Sequence, residues 1–183
     1  TEEQLAEIRQ VVDKIQTELK EKGITVKFDD DDKTKPGWKF AEYELKGVPV
    51  RMAIGPKDLE KGHVEVARRD TLEKQFIALD EVVNRTESLL EEIQTNLYQR
   101  AFDYRAEHTT EVSTWEEFQE VLENKGGFIS ALWDGTEETE EAVKDATKAT
   151  IRCIPQAFEI PTEGVDMYSG KPAKYRVLYA KAY

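Results

Sequence analysis

The sequence predicts an α/β protein in two parts, and three patterns carry that expectation. Helix-spaced apolar stripes alternate with short period-two apolar runs through the first part of the chain. A second set of helix and strand signals follows the polar segment HTTEVST, residues 108–114. Most of these runs stop at a Gly or at a cluster of polar turn residues. The order helix, strand, helix, strand suggests βαβ units and a parallel sheet. Two domains are expected, over 1–108 and 109–183, with no internal repeat relating them.

From Glu2 to Lys22, Leu5, Ile8, Val12, Ile15 and Leu19 recur every three or four residues, one apolar stripe on a helix that Gly23 ends. ITVKF, Ile24 to Phe28, alternates like a strand. A parallel sheet of this kind is expected to have a first strand before the opening helix, and the sequence shows none before Thr1. Asp29 to Asp32 is a run of four acids with two readings, a divalent-metal site or a solvated loop; it lacks the spacing of a calcium loop. Loops at the C-terminal ends of strands in open α/β sheets often border the ligand site.

A short amphipathic helix from Trp38 to Lys46 stops at Gly47. Val48, Val50, Met52 and Ile54 then alternate as a strand, with Arg51 pointing to the opposite face. The turn GPKDLEKG leads into a second strand, HVEVARR, and Lys74 to Leu79 forms a last one. Asp80 is placed to cap a long helix carrying Val83, Leu90, Ile93, Leu97, Ala101 and Tyr104, ending near His108. His108 reads as a partner of the helix dipole rather than a catalyst. His63, at a strand start, has no Cys or carboxylate pattern beside it and reads as equally ordinary.

In the second part, Ser113 with Glu116 has the form of a capping box for a helix bearing Trp115, Phe118 and Leu122. Gly126 and Gly127 close it, Phe128 to Trp133 reads as a strand, and Thr136 to Lys148 as an acidic helix. Thr150 to Ile154 is a further strand, Pro155 to Pro172 a punctuated loop, and KYRVLYAKAY a final strand. Cys153 falls in an apolar strand, where a small buried side chain is the reading preferred to a nucleophile.

Composition narrows the function. The 183 residues carry a net charge of −12 with 35% charged residues, which argues against non-specific nucleic-acid binding. Yet Lys33 to Lys74 is locally basic, about +3, with Trp38, Phe40 and Tyr43 among its cations. That mixture suits stacking on unpaired bases while steering phosphates. One cysteine allows no internal disulfide and points to a reducing compartment, so a cytoplasmic location is expected. No apolar run approaches a membrane span, and no signal peptide is visible. The sequence contains no Gly-rich phosphate loop, no Ser-His-Asp set and no His cluster, so catalysis by this chain alone is not expected.

PGWKFAEYELKGVPVRMAIGPKDLEKG, continued by VEVARRDT and again by KATIRCIP and the final KAY, resembles prolyl-tRNA synthetases of the type shared by archaea, eukaryotes and some bacteria. The resemblance covers most of the chain. It implies the class IIa anticodon-binding fold, a mixed sheet flanked by helices with its first strand apparently missing, followed by a small α/β C-terminal domain. It also implies a part of an ATP-dependent ligase whose catalytic domain lies elsewhere. That enzyme binds proline tRNA, uses ATP with magnesium and forms a homodimer; no membrane or DNA partner is expected. A non-catalytic RNA-binding or accessory protein reusing the fold is the alternative, and an acidic protein-interaction domain a third reading.

Carried over by the resemblance, the anticodon readers fall on Phe40, Glu44, Arg51, Lys57 and Asp58, and Tyr183 is implied to reach towards the catalytic domain. The prolyl anticodon holds two guanines. Guanine O6 and N7 suit Arg51 and Lys57, its N1 and N2 donors suit Glu44, and Phe40 can stack on an unpaired base. Phe40 could also be core, and Glu44 could pair with Lys46 or Arg51. Many members of the family hold zinc through C-x4-C and C-x2-C; the matching positions here are Asp134, Thr139, Asp166 and Ser169. Two carboxylates and two hydroxyls are a poor tetrahedral zinc set, so zinc is not expected. Trp133, Phe158, Tyr168 and Tyr175 are the candidates to supply core in its place.

Overall fold

A computed structural model describes residues 1–156 and 164–182. The sequence candidates Phe158 and Tyr183, and part of the loop expected from Pro155 to Pro172, lie outside the described residues. The chain divides into two compact units, Thr1–Arg100 and Ala101–Tyr183.

The first unit opens with α1 (Glu2–Glu21), started by a capping box between Thr1 and Gln4. Then come α2 (Pro36–Leu45), β1 (Val50–Ala53), the short α3 (Pro56–Glu60), β2 (His63–Arg68) and β3 (Lys74–Ala78). The strands form one antiparallel sheet in the order β1-β2-β3. Helix α4 (Val82–Glu107) follows. Its start lies past Asp80, and Glu81 O accepts the Arg85 N–H at 2.9 Å, so the expected Asp80 cap is displaced.

Val64 and Val66 of β2 and Ile77 of β3 are buried on one sheet face with Leu19, Val82, Val83 and Leu89; Ile15, Val50 and Met52 pack around them. The register puts the other phase of the strands on the opposite face: Arg51, Ala53, His63, Glu65, Ala67, Lys74 and Phe76. The α1 stripe is covered only towards its C-terminal end, for Leu19 is buried while Leu5 is 66% exposed.

Two expectations for this unit are corrected. None of its described strands is parallel to another. Ile24 to Phe28 is not a strand either. Ile24 and Val26 do pack against the core, so the alternation reports burial correctly. A strand also needs a neighbour to receive its backbone hydrogen bonds, and the three-stranded sheet ends at β1.

The second unit contains β4 (Thr109–Glu111), α5 (Trp115–Asn124), β5 (Phe128–Trp133), α6 (Glu137–Thr147), β6 (Ala149–Cys153) and β7 (Tyr175–Lys181). Its sheet is mixed, ordered β4-β5-β7-β6, with β4 parallel to β5 and the other pairs antiparallel. Helices thus flank sheets in both units, as the sequence predicts. HTTEVST, which marks the boundary in the sequence, also supplies β4. Phe118, Ile129, Val143, Val177 and Tyr179 are fully buried, with Phe118 edge-on to Tyr179 at 5.3 Å. Trp133 packs against this cluster, whereas Tyr168 and Tyr175 stay exposed and are not core.

Cys153 is exposed, contrary to the buried reading. It ends an edge strand beside a register irregularity with β7, where one face of the backbone has no neighbour. Gly127 joins α5 to β5 at φ +80°, and a Cβ there would meet His108 O at 2.5 Å. Only glycine suits that approach.

Candidate nucleic-acid interface

The acidic run positions α2. Asp29 accepts from Lys39 Nζ at 2.6 Å and from Tyr43 Oη at 2.9 Å, both on α2. The Lys39 bond, and then that of Tyr43, outweigh burial and hold the Asp29 carboxyl below its usual range. Asp31 accepts from its own loop, at the Lys33 N–H and the Thr34 hydroxyl. Among the described residues no group of three or more His, Cys, Asp or Glu is arranged to hold a metal ion.

Pro36 opens α2 with a φ already suited to a first turn, and Gly47 ends it at φ +80°. Phe40 and Glu44, four apart, share one face of this helix. The guanidinium of Arg51, on β1, lies 3.6 Å from the Phe40 ring centroid, a close cation–π contact. Its Nη1 is 3.6 Å from Glu65 Oε1, and Lys74 Nζ is 3.3 Å from the same oxygen. Arg51 therefore faces away from the apolar core, as its place on the strand predicts. Its side chain is nonetheless only 13% exposed, and the buried Nη1 finds no hydrogen-bond acceptor among the described residues.

Glu44 is exposed, and its carboxylate makes no ion pair among the described residues; Lys46 pairs with Glu42 instead, and Arg51 with Glu65. The Glu44 carbonyl accepts from Arg69 Nε at 2.7 Å, which ties the end of α2 to the end of β2. Lys57 is exposed on α3, a short helix where a turn is expected from the sequence. Asp58 is committed within the chain: one oxygen accepts the Gly55 N–H at 2.9 Å, and the other lies 3.2 Å from His63 Nε2.

Phe40 and Arg51 are thus brought together, with Glu44 one turn along α2 from Phe40 and with Lys57 and Asp58 on the connection that follows β1. Two neighbours stand beside them, His63, read as ordinary from the sequence, and Phe76, which the sequence reading passed over. His63 lies between Asp58 and Phe76, its ring 4.6 Å from that of Phe76. Phe76 is an aromatic residue on the polar phase of β3, and that mismatch with its neighbour Ile77 was the available signal.

In the second unit, the four positions matching the zinc cysteines converge in a buried polar cluster. Asp134 Oδ1 accepts from the Thr136 N–H and hydroxyl at 2.9 and 2.8 Å, and Oδ2 from the Thr139 and Ser169 hydroxyls at 2.8 and 3.0 Å. Asp166 Oδ1 accepts the N–H groups of Tyr168 and Ser169 at 2.8 and 2.7 Å, and Oδ2 that of Asp134 at 3.0 Å. Burial pushes the Asp134 carboxyl up, but the Thr136, Thr139 and Ser169 bonds outweigh it and hold it below the usual carboxylate range. These oxygens are already filled with hydrogen bonds from their own chain, and no thiolate or imidazole stands among the four. The donor set does not fit zinc.

Residues 2–89 match the anticodon-binding domain family, and residues 115–183 match the C-terminal domain of prolyl-tRNA synthetase. The chain is 55% identical over 184 residues to the proline–tRNA ligase of Christiangramia forsetii, covering all of this chain and 37% of that protein. It is 55% identical over 183 residues to the proline–tRNA ligase of Flavobacterium johnsoniae, again over all of this chain and 37% of the other. With that of Porphyromonas gingivalis W83 the identity is 54% over 182 residues, 100% of this chain and 36% of the relative. The chain therefore spans little more than a third of the length of the curated relatives it matches. An anticodon-binding domain followed by the characteristic C-terminal domain, matched end to end at this identity, means that the chain belongs to the prolyl-tRNA synthetase family as its C-terminal part.

Proposed function

We propose that this chain recognises the anticodon of proline tRNA, in support of ATP-dependent attachment of proline by a catalytic domain elsewhere in a longer polypeptide. The observation that carries the reading is the Phe40–Arg51 pair: a buried guanidinium packed on an aromatic ring, its Nη1 without a hydrogen-bond acceptor among the described residues, with the exposed Glu44 one turn along α2 from Phe40. A buried polar atom left without a partner calls for an explanation, and at this exposed edge of α2 and β1 a base edge supplies one. Arg51 supplies a planar fork for guanine O6 and N7, and Glu44 accepts from guanine N1 and N2. Phe40 stacks on a base, Lys57 reaches a base edge or a phosphate, and Asp58 shapes the turn through Gly55 and His63.

The rest of the assignment follows from the same reading. ATP with magnesium belongs to the catalytic domain, and neither a cofactor nor zinc is assigned to this chain. The longer enzyme is a cytoplasmic homodimer, and Tyr183 contacts its catalytic domain. No helix among the described residues is long and apolar enough to cross a membrane.

The test is equilibrium binding of the chain to proline tRNA and to versions with either anticodon guanine replaced. Each replacement should weaken binding by roughly 1–3 kcal/mol, the worth of a bidentate base contact. Equal affinity for every anticodon would remove the assignment. Deleting Tyr183 from the full-length enzyme should lower aminoacylation and leave tRNA binding nearly intact.

A further inference from the structure

We infer that Phe76, held by His63, is a stacking platform for one unpaired base of an RNA loop crossing the outer face of β1–β3. This rests on the anticodon-recognition reading and adds a contact that reading does not contain. Three observations carry it.

The first is phase. The core takes only one face of the three strands, and Phe76 stands on the other with Arg51, Glu65 and Lys74. It is 63% exposed on an edge strand, where a large flat apolar ring has no packing role to explain it. The second is positioning. The His63 ring meets the Phe76 ring at 4.6 Å and 50°, and Asp58 fixes His63 at 3.2 Å. Phe76 is thereby linked through its neighbours to Asp58, and it presents an orderly surface rather than a loose one. The third is charge. Arg51 and Lys74 lie on this same face, both close to Glu65, in the locally basic stretch of an acidic chain.

An aromatic ring among cations fits a base and its phosphate better than an apolar protein patch. The separation fits as well. Phe76 lies two strands across and two residues along from Arg51, roughly 12 Å by standard sheet dimensions. A loop with one base at Phe40 and Arg51 therefore has room to place another over Phe76.

The experiment titrates the chain with an RNA stem-loop bearing the proline anticodon loop, carrying the fluorescent base 2-aminopurine at one loop position at a time. Phe76→Leu should weaken binding roughly 5- to 150-fold, the worth of one base stacked on an aromatic ring. It should abolish the fluorescence quench at one loop position and leave thermal unfolding unchanged. Phe76→Tyr should restore both affinity and quench. Unchanged affinity in Phe76→Leu overturns the platform, as does weaker binding that Phe76→Tyr does not rescue. A change of sedimenting mass without a change in RNA affinity would make the face a contact between copies and would overturn it too. Wild-type preference for the proline anticodon over guanine-substituted loops, read in the same titrations, tests anticodon recognition separately. That preference surviving while Phe76→Leu binds normally removes the platform alone; a wild-type chain that binds no RNA removes both.

Discussion

Arg51 sits with its guanidinium 3.6 Å from the centre of the Phe40 ring, while its Nη1 reaches Glu65 only at 3.6 Å and finds no hydrogen-bond acceptor among the described residues. The two side chains come from different elements, α2 and β1, so each holds the other in place. In such a pair, losing either partner removes most of what the other contributes. Phe40→Ala and Arg51→Ala should therefore be non-additive for binding RNA with the prolyl anticodon, with a coupling energy of roughly 0.5–3 kcal/mol. A double-mutant cycle measures it, and strictly additive losses would mean that the two act separately.

Asp134 is predicted to be the residue on which the second unit most depends. Its carboxylate takes four donated hydrogen bonds at 3% exposure. An amide in its place offers only one acceptor oxygen. Asp134→Asn should therefore destabilise the chain by roughly 2–4 kcal/mol, because buried donors are left unpaired. Denaturant titration reads this. Chelators should leave wild-type unfolding unchanged, and elemental analysis should find no stoichiometric zinc.

Acid should loosen the first unit through Asp70. The bidentate bond from Arg68, and then that from Asn96 Nδ2 at 2.7 Å, hold its carboxyl at about 2 instead of 3.8. A carboxyl with a depressed folded-state pKa contributes stability that is fully present above the unfolded value. That contribution is lost as pH falls from about 4 towards 2, and its full size is roughly 2 kcal/mol. Asp70→Asn should flatten this limb of the stability–pH curve, measured by urea unfolding at stepped pH.

Tyr179 offers the opposite case. Its hydroxyl is buried without a hydrogen-bond partner among the described residues, and burial raises its pKa. Phenylalanine keeps the edge-on contact with Phe118 and removes the stranded hydroxyl. Tyr179→Phe should stabilise the chain by roughly 1 kcal/mol, seen as a higher denaturant midpoint with an unchanged slope.

How far the sequence was legible depended on whether a feature is local. Strand β5 reads directly from Gly126 and Gly127 followed by an apolar run, and its bounds match those expected. The capping box lies one residue later than expected. Ser113–Glu116 and Thr114–Glu117 have the same form, and only the folded chain shows Glu117 reaching the N–H groups of both Ser113 and Thr114 while Thr114 caps. Ile24 to Phe28 alternates correctly but lacks a pairing partner, which is a property of the sheet and not of the segment. The same holds for the candidate interface. Arg51's face followed from strand period, but its burial under Phe40, the Asp58–His63–Phe76 chain and the exposure of Cys153 all depend on long-range neighbours.

The cluster around Asp134 and Asp166 has a chemical consequence as well as a structural one. A thiolate metal site is vulnerable to peroxide, since oxidised sulfur no longer binds the ion and the fold it secures comes apart. Carboxylates, hydroxyls and amides offer peroxide nothing comparable, so this staple is indifferent to oxidants. The chain has one sulfhydryl, Cys153, exposed at the margin of β6. Peroxide should therefore oxidise Cys153 at that edge and leave the hydrogen-bonding atoms of the cluster unchanged.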